Sequence, residues 1–181
     1  TAWEVGLSCG GKISVLVMAV SEAGVPPHLL TSGVESLAER QTVCFRLPVN
    51  GGHAQKSEKV FEASKLEGDE LLFVQAPRPQ LIIIGAVHIS QHLASMAIQT
   101  GFDVTVIDPR RTFATAERFP GIKLVFDWPD IALDDISLDG ETSLVALTHD
   151  PKIDDTALHQ VLGKPLFHIA CLGSRRTHAA R

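Results

Sequence analysis

Residues suited to holding a phosphate, a ribose or a metal gather in five short stretches of this sequence. Each stretch places a charged or ligating side chain beside a small or turn-forming residue. Arginine forks and backbone amides bind phosphate, carboxylates accept from hydroxyl groups, and thiolates ligate soft metals. The five stretches are "CGG" from Cys9, "GAVHIS" from Gly85, "DPRR" from Asp108, "THD" from Thr148 and "GSRR" from Gly173.

The stretch "GAVHIS" follows an apolar run and matches the first turn of a dinucleotide-binding fold in part. Gly85 supplies the tight turn, but Val87 and Ser90 stand where the second and third glycines of that fingerprint belong. Val87 would bring a branched Cβ to the place where a diphosphate lies, and it disfavours a positive φ. Gly85, Ala86 and His88 remain candidate binding residues, with His88 alternatively a satisfied polar group at a helix start.

Asp108 ends the next predicted strand, about twenty residues after the glycine turn, where a carboxylate accepts from ribose hydroxyls. Arg110 and Arg111 follow it at once and could hold a phosphate. The alternative is that Asp108 opens a turn before Pro109 and that the two arginines are solvated.

Two further stretches follow predicted strands, and the carboxyl ends of parallel strands are where ligands bind in such sheets. His149 is a candidate hydrogen-bond donor or proton carrier, whereas its neighbour Asp150 either contacts the ligand or caps the next helix. A phosphate or diphosphate site is predicted where a helix opens with two arginines, although a solvated basic segment is the alternative. Its candidate residues are Gly173, Ser174, Arg175 and Arg176.

Cys9 lies on a glycine turn that a ligand could approach closely, so its thiolate is a candidate ligand for molybdenum or a carrier of sulfane sulfur. The alternative for this cysteine is simple turn packing. Cys44 and Cys171 lie in apolar strand patterns and are predicted to be inert. The acidic residues between 127 and 141 lack the spacing of a calcium loop and are predicted to form a solvated connector.

The elements that must position these residues change in pattern at "APRPQ", residues 76–80, where we place a domain boundary between residues 78 and 79. Residues 79–181 alternate strands with helices, which predicts an α/β fold, a doubly wound parallel sheet of the Rossmann-like kind, with its last helix cut short. Residues 1–78 predict a smaller, partial α+β domain.

Within the smaller domain the apolar pattern predicts a strand over 12–20, a helix over 26–40 and strands over 42–49 and 69–76. In the larger domain a short helix is predicted around "ATAERF", from Ala114 to Phe119.

Composition excludes several classes of protein. The net charge of −5 argues against a nucleic-acid binder, and no apolar run reaches the length of a membrane span. The three cysteines are too few and too far apart to predict a disulfide framework, and the residues from Thr1 do not resemble a secretory signal. A soluble protein of the reducing cytoplasm is the expectation.

The stretches "EVGLSCGGKISVLV", "IIIGAVHISQHL...DPRRTFATAERFPG", "LTHDPKIDDTAL" and "LGSRRTHAAR" together resemble the XdhC/CoxI family of accessory proteins for molybdenum hydroxylases such as xanthine dehydrogenase. The resemblance implies a chaperone that binds the molybdenum cofactor, as molybdopterin or its dinucleotide form. It also implies delivery, after sulfuration, to a molybdenum hydroxylase apo-enzyme. A cysteine desulfurase as second partner and a homodimer are left open.

Two rival functions accompany this expectation. The first is an NAD(P)-dependent oxidoreductase, which the strand–turn–helix pattern permits but for which no catalytic residue is assigned. The second is a nucleotide-sensing module like those of ion-transport regulators, which "CGG" at Cys9 and "GSRR" at Gly173 disfavour.

Overall fold

The computed structural model describes residues 13–180. By its internal contacts the chain divides into two compact units, one ending at Ala76 and the other beginning at Pro77. Within the described residues no helix is both long enough and apolar enough to cross a membrane.

The first unit holds a four-stranded antiparallel sheet in the order β2-β1-β4-β3, in which β1 and β4 pair over their full lengths. The predicted helix over 26–40 and the strands over 42–49 and 69–76 are confirmed, with slightly tighter bounds. The elements are α1 Pro27–Ala38, β1 Val43–Pro48, β2 Gln55–Lys56, β3 Lys65–Glu67 and β4 Glu70–Gln75.

The strand predicted over 12–20 is wrong for the part that the structure describes. Residues 13–19 form no regular element, and Val20 makes an isolated bridge with Val25. Ile13, Val15 and Val17 are exposed. A β-branched, apolar run becomes a strand only where its backbone groups pair with a neighbour, and β1 to β4 pair with one another instead.

The second unit alternates strands and helices as predicted. Its first strand and helix are β5 Gln80–Ile84 and α2 His88–Gln99. The remaining elements are β6 Asp103–Ile107, β7 Lys123–Val125, α3 Pro129–Asp134, β8 Thr142–Ala146, α4 Pro151–Val161, β9 His168–Cys171 and α5 Arg175–Ala180.

The five strands of this unit are all parallel and lie in the order β7-β6-β5-β8-β9. The chain runs outward from β5 in one direction and then returns to run outward in the other, so the order reverses between β5 and β8. This is the topology of a Rossmann-like doubly wound sheet, and it confirms the predicted fold class.

A separate apolar core covers each face of the sheet because side chains alternate along a strand. Leu81 and Ile83 of β5 pack with Ala94 of α2 on one face. Ile82 and Ile84 pack on the other face, with Leu133 of α3 and other residues of α3 and α4. Both faces of the sheet are therefore buried. The ends of its strands are left to bind ligands.

One local prediction in this unit is wrong. Residues 114–119 form turns rather than a helix, because Pro120 and Gly121 follow after a single turn. The acidic side chains between residues 127 and 141 are exposed or half-buried, as expected for a solvated connector, but the segment also holds the short helix α3, since Pro129 begins a helix that buries Ala132 and Leu133.

Candidate functional site

The parallel sheet brings four of the five predicted stretches to one edge, because each stretch follows the carboxyl end of a strand. The order reversal between β5 and β8 makes the crevice between those two strands the expected ligand site. Gly85, Ala86 and His88 follow β5, Asp108 and Arg110 follow β6, His149 and Asp150 follow β8, and Gly173, Ser174, Arg175 and Arg176 follow β9.

Gly85 begins the β5–α2 turn in a conformation that requires glycine. Its φ is +104°, and a Cβ added there would clash with the methyl group of Thr148 on the neighbouring turn. Its N–H donates to Ile107 O at 2.8 Å, and its carbonyl accepts from Ser90 Oγ at 2.6 Å. The turns after β5 and β8 therefore touch at Gly85.

Asp108 is fully buried and holds this turn by its carboxylate. Ala86 N–H donates to Oδ2 at 2.7 Å, and the backbone N–H of Arg110 donates to Oδ1 at 2.9 Å. The Arg110 side chain completes the set, with Nε donating to Oδ1 at 2.9 Å and Nη2 to Oδ2 at 2.8 Å. These bonds fill the roughly four lone-pair positions of a carboxylate, so Asp108 in this arrangement has none left for a ribose.

The charge of Asp108 is stabilised in spite of its burial. Burial alone would raise its pKa, but the hydrogen bonds from Arg110 and Ala86 outweigh it, so the pKa of Asp108 lies below the ordinary value of 3.8. The hydrogen bond to Asp108 likewise raises the pKa of Arg110 against the opposing effect of burial. Both groups are ionised at neutral pH, and the Arg110 guanidinium is engaged within the protein.

Val87 does not strain the turn. It is the N-cap of α2 with φ −81° and ψ 178°, an extended conformation open to any residue. Its half-buried side chain packs against the apolar core beneath α2. The N-terminus of this 12-residue helix carries no side-chain cap and no acidic residue in its first turn, so its backbone amides suit an anion.

A second buried carboxylate holds the turn after β8. Asp154, in the first turn of α4, accepts from Thr148 N–H at 3.1 Å, Thr148 Oγ1 at 2.6 Å and His149 N–H at 2.9 Å. His149 has φ +61°, a left-handed conformation that is uncommon for a side chain other than glycine. The residue is exposed.

Asp150 takes the capping role that was the alternative for it. Its carboxylate accepts from Lys152 N–H at 3.0 Å and begins α4, with Pro151 in the next position. Asp154 was missed in the sequence because an acidic residue in a first helical turn is most simply explained by the helix dipole.

The turn after β9 leads into α5 through Ser174. Ser174 Oγ accepts from Thr177 N–H at 3.1 Å and lies 2.9 Å from Thr177 Oγ1, which is an ordinary helix cap. Arg175 and Arg176 are exposed on the first turn of this short helix. Adjacent strands are about 4.8 Å apart, so this turn lies roughly 10 Å across the sheet from the Gly85 turn.

Arg118 is a structural residue of the site that the sequence analysis did not single out. Its Nη1 donates to Ala86 O at 2.9 Å and also to Phe113 O. The loop between β6 and β7 is thereby tied to the glycine turn. The sequence had predicted a helix over 114–119, in which Arg118 would have been a solvated side chain.

The predicted metal ligand Cys9 lies outside the described residues. Cys44 is buried and its sulfur accepts from Phe61 N–H at 3.4 Å, whereas Cys171 is half-buried at the end of β9. Among residues 13–180 no three histidine, cysteine or acidic side chains come together as metal ligands would.

Comparison with known proteins agrees with the Rossmann-like fold of the second unit. Residues 81–181 match the family of the XdhC Rossmann domain. The chain is 32% identical to a Bacillus subtilis protein named as a probable xanthine dehydrogenase subunit, over 194 residues that cover 96% of this chain and 59% of that protein. This chain belongs to the XdhC family. The resemblance noted in the sequence is thus confirmed.

Two other proteins are similar to this XdhC protein. It is 26% identical to the "Uncharacterized protein YqeB" of Escherichia coli, over 89% of this chain and 29% of that protein. Its fold matches the crystal structure of a xanthine dehydrogenase from Bacillus halodurans with a TM-score of 0.69 and 22% identity, over 84% of this chain and 54% of the other. The chain spans 59% or less of the length of each of these proteins.

Proposed function

We propose that this XdhC protein binds the molybdenum cofactor and helps to sulfurate it and insert it into a xanthine dehydrogenase-type hydroxylase. The observation that carries the proposal is the relationship to the XdhC family, including a relative named as a probable xanthine dehydrogenase subunit. The apo-hydroxylase is the proposed partner, with a cysteine desulfurase as a second one. The cytoplasm, where such hydroxylases mature, is the proposed location.

The crevice between β5 and β8 is the proposed binding site for the cofactor phosphate. The first-turn amides of α2 follow the turn after β5 and have no side-chain cap, which suits the terminal phosphate of a pterin cofactor. Gly85 and Ala86 shape the approach to these amides, and Asp108 with Arg110 fixes them in place. We assign Asp108 and Arg110 a positioning role because the carboxylate of Asp108 is fully bonded and Arg110 donates to it from both Nε and Nη2.

Four exposed side chains are the proposed contacts around that phosphate. His88 stands at the first position of α2, and His149 is presented from the neighbouring turn. Arg175 offers a cation from the turn after β9, as does Arg176, within reach of a dinucleotide form of the cofactor. Cys9 is the proposed contact for the molybdenum end, because soft metals favour thiolate.

A nicotinamide dinucleotide is the rival ligand, since the same sheet order holds NAD(P) in many oxidoreductases. The filled carboxylate of Asp108 disfavours it, because the adenosine ribose would have to displace Arg110 or Ala86. Titration of NAD and NADP into the parent and Val87→Gly proteins separates the two functions. Tight dinucleotide binding by the parent, with no pterin binding, would support the rival.

The direct test is copurification of the cofactor. The protein is expressed with molybdate, with and without its apo-hydroxylase, and is analysed for molybdenum and for fluorescent oxidised pterin. We expect both in near-stoichiometric amounts, and we expect the loaded protein to activate the apo-hydroxylase in vitro. A Cys9→Ala variant should retain pterin but transfer less active cofactor. Protein that never carries molybdenum or pterin would overturn the proposal.

A further inference from the structure

Phe113 is an exposed aromatic ring on a loop that is fixed at its backbone. The residue is 44% exposed in the connection between β6 and β7. Its N–H donates to Arg110 O at 2.9 Å, and its carbonyl accepts from Arg118 Nη1. Both backbone polar groups are therefore satisfied, so the backbone that carries the ring is held in place in spite of the exposure of the residue.

The same contacts place Phe113 beside the glycine turn. Arg118 Nη1 donates to both Phe113 O and Ala86 O, so the two carbonyl oxygens lie within hydrogen-bonding reach of a single nitrogen. The loop that carries the ring is thus attached to the turn that precedes α2. That helix begins without a side-chain cap.

Arg110 fixes the ring itself. Its guanidinium carbon lies 4.6 Å from the centroid of Phe113, a cation–π contact. The guanidinium is locked in turn by two hydrogen bonds to the buried carboxylate of Asp108. A fixed cation therefore covers part of the ring, while 44% of the residue remains open to a ligand.

We propose that Phe113 is the stacking platform for the flat heterocycle of the bound ligand, which on the proposed function is a pterin. Aromatic rings stack in offset or edge-on geometries at 4.5–7 Å between centroids. A ring held at its backbone and by Arg110 loses little freedom when a ligand stacks on it, so the contact adds to affinity. The phosphate lies at α2, and the heterocycle extends along the carboxyl edge towards the β6–β7 loop.

Separate residues thus recognise separate parts of the ligand. The α2 amides recognise the phosphate and Phe113 recognises the ring, so loss of the ring contact should spare binding of a ligand that has only phosphate. Phe167 supplies a matched control in the same unit. It is 77% exposed and precedes β9, at the opposite end of the strands.

The experiment compares Phe113→Leu, Phe113→Trp and Phe167→Leu with the parent, using 6-hydroxymethylpterin phosphate as probe and inorganic pyrophosphate as competitor. Phe113→Leu is expected to weaken pterin binding about fivefold and to leave the dissociation constant of pyrophosphate unchanged. Phe113→Trp and Phe167→Leu are expected to bind as the parent does. Circular dichroism and thermal melting establish that each variant is folded.

Fluorescence supplies a readout that a purely structural role would not move. Bound pterin should quench the emission of Phe113→Trp strongly and that of Phe167→Trp little. Unchanged pterin affinity in Phe113→Leu, or no quenching in a Phe113→Trp protein that binds pterin, would overturn the platform and leave the proposed function standing. A parent that binds neither the probe nor the molybdenum cofactor would overturn both.

Discussion

The turn after β5 and the turn after β8 lie side by side, and each is held by a buried carboxylate from elsewhere in the chain. Asp108 comes from the adjacent strand and accepts from Ala86 N–H and from Arg110. Asp154 comes from the following helix and accepts from the Thr148 and His149 backbones and from the Thr148 hydroxyl.

The difference between the turns is in what they leave for a ligand. In the first turn, Asp108 forms an ion pair with Arg110, and the nearby first-turn amides of α2 have no side-chain cap. In the second turn, Asp154 accepts from the N–H of His149, which has a left-handed conformation and is exposed. One turn is thus built to expose backbone donors and the other to expose a side chain.

The two turns are also linked to each other. A Cβ added at Gly85 in the first turn would clash with Thr148 in the second. The carboxylates of Asp150 and Asp154 act on Arg110 in the same direction as Asp108, raising its pKa. Substitutions can therefore test whether each turn depends mainly on its own carboxylate.

Asp108→Asn should have the largest effect on stability, about 4 kcal/mol, because it leaves the Arg110 guanidinium without its counter-charge. Urea unfolding in a Trp3→Phe background measures it, since Trp128 then reports on the Rossmann unit. Asp103→Asn, on the exposed start of the same strand, is the control and should change stability by less than about 1 kcal/mol. A loss below about 1 kcal/mol for Asp108→Asn would show that the ion pair does not hold the turn.

Gly85→Ala should destabilise the protein by about 3 kcal/mol, the sum of a strained positive φ and a clash with Thr148. Gly101→Ala separates the two causes, because Gly101 has φ +91° but nothing within 4 Å of an added Cβ. The Gly101→Ala protein should lose about 1 kcal/mol of unfolding free energy in the same urea measurement. Equal losses in the two variants would mean that the turns do not press on each other.

Asp154→Asn should cost about 2 kcal/mol, because the amide keeps one acceptor oxygen and turns an NH2 group towards the donors of either Thr148 or His149. The effect is smaller than that of Asp108→Asn because none of these donors carries a full charge. Asp134→Asn, at the exposed end of α3, is the control. The ranking fails if urea unfolding shows Asp154→Asn to be the more damaging of the two carboxylate variants.

Acid should reveal a smaller effect at the first turn. The pKa of Asp108 is lowered in the folded protein, so its contribution to stability is complete above its ordinary value of 3.8 and is lost as the pH falls through the folded pKa. The stability difference between the parent and Asp108→Asn should therefore shrink between about pH 5 and about pH 2. A difference that stays constant over this range would contradict the lowered pKa.

The sequence predicted the sheet and the residues at its edge because strand and helix periodicities are local signals. It placed Gly85, Asp108, His149 and Ser174 at strand ends, where the structure has them. It did not predict the partners of those residues. The bonds of Asp108 to Ala86 and of Asp154 to His149 depend on how neighbouring elements pack, and no spacing in the chain encodes that.

Val87 illustrates the same limit from the other side. The sequence suggested that its branched side chain would obstruct a diphosphate, whereas the structure shows it in an extended conformation and packed on the core. The direction of a side chain at a turn follows from the backbone dihedrals, which the residue types around it did not fix. The uncapped amides of α2 are therefore retained as the proposed phosphate donors.

Titration of the molybdenum cofactor into the parent, His88→Pro and His88→Ala proteins tests the proposed site most directly. Proline fits the first position of a helix and follows the extended Val87 without strain, but it removes one amide donor from α2. We expect saturable binding by the parent, about tenfold weaker binding by His88→Pro and a smaller loss in His88→Ala. Absence of binding by the parent, or equal affinity of His88→Pro and the parent, would contradict the proposed site.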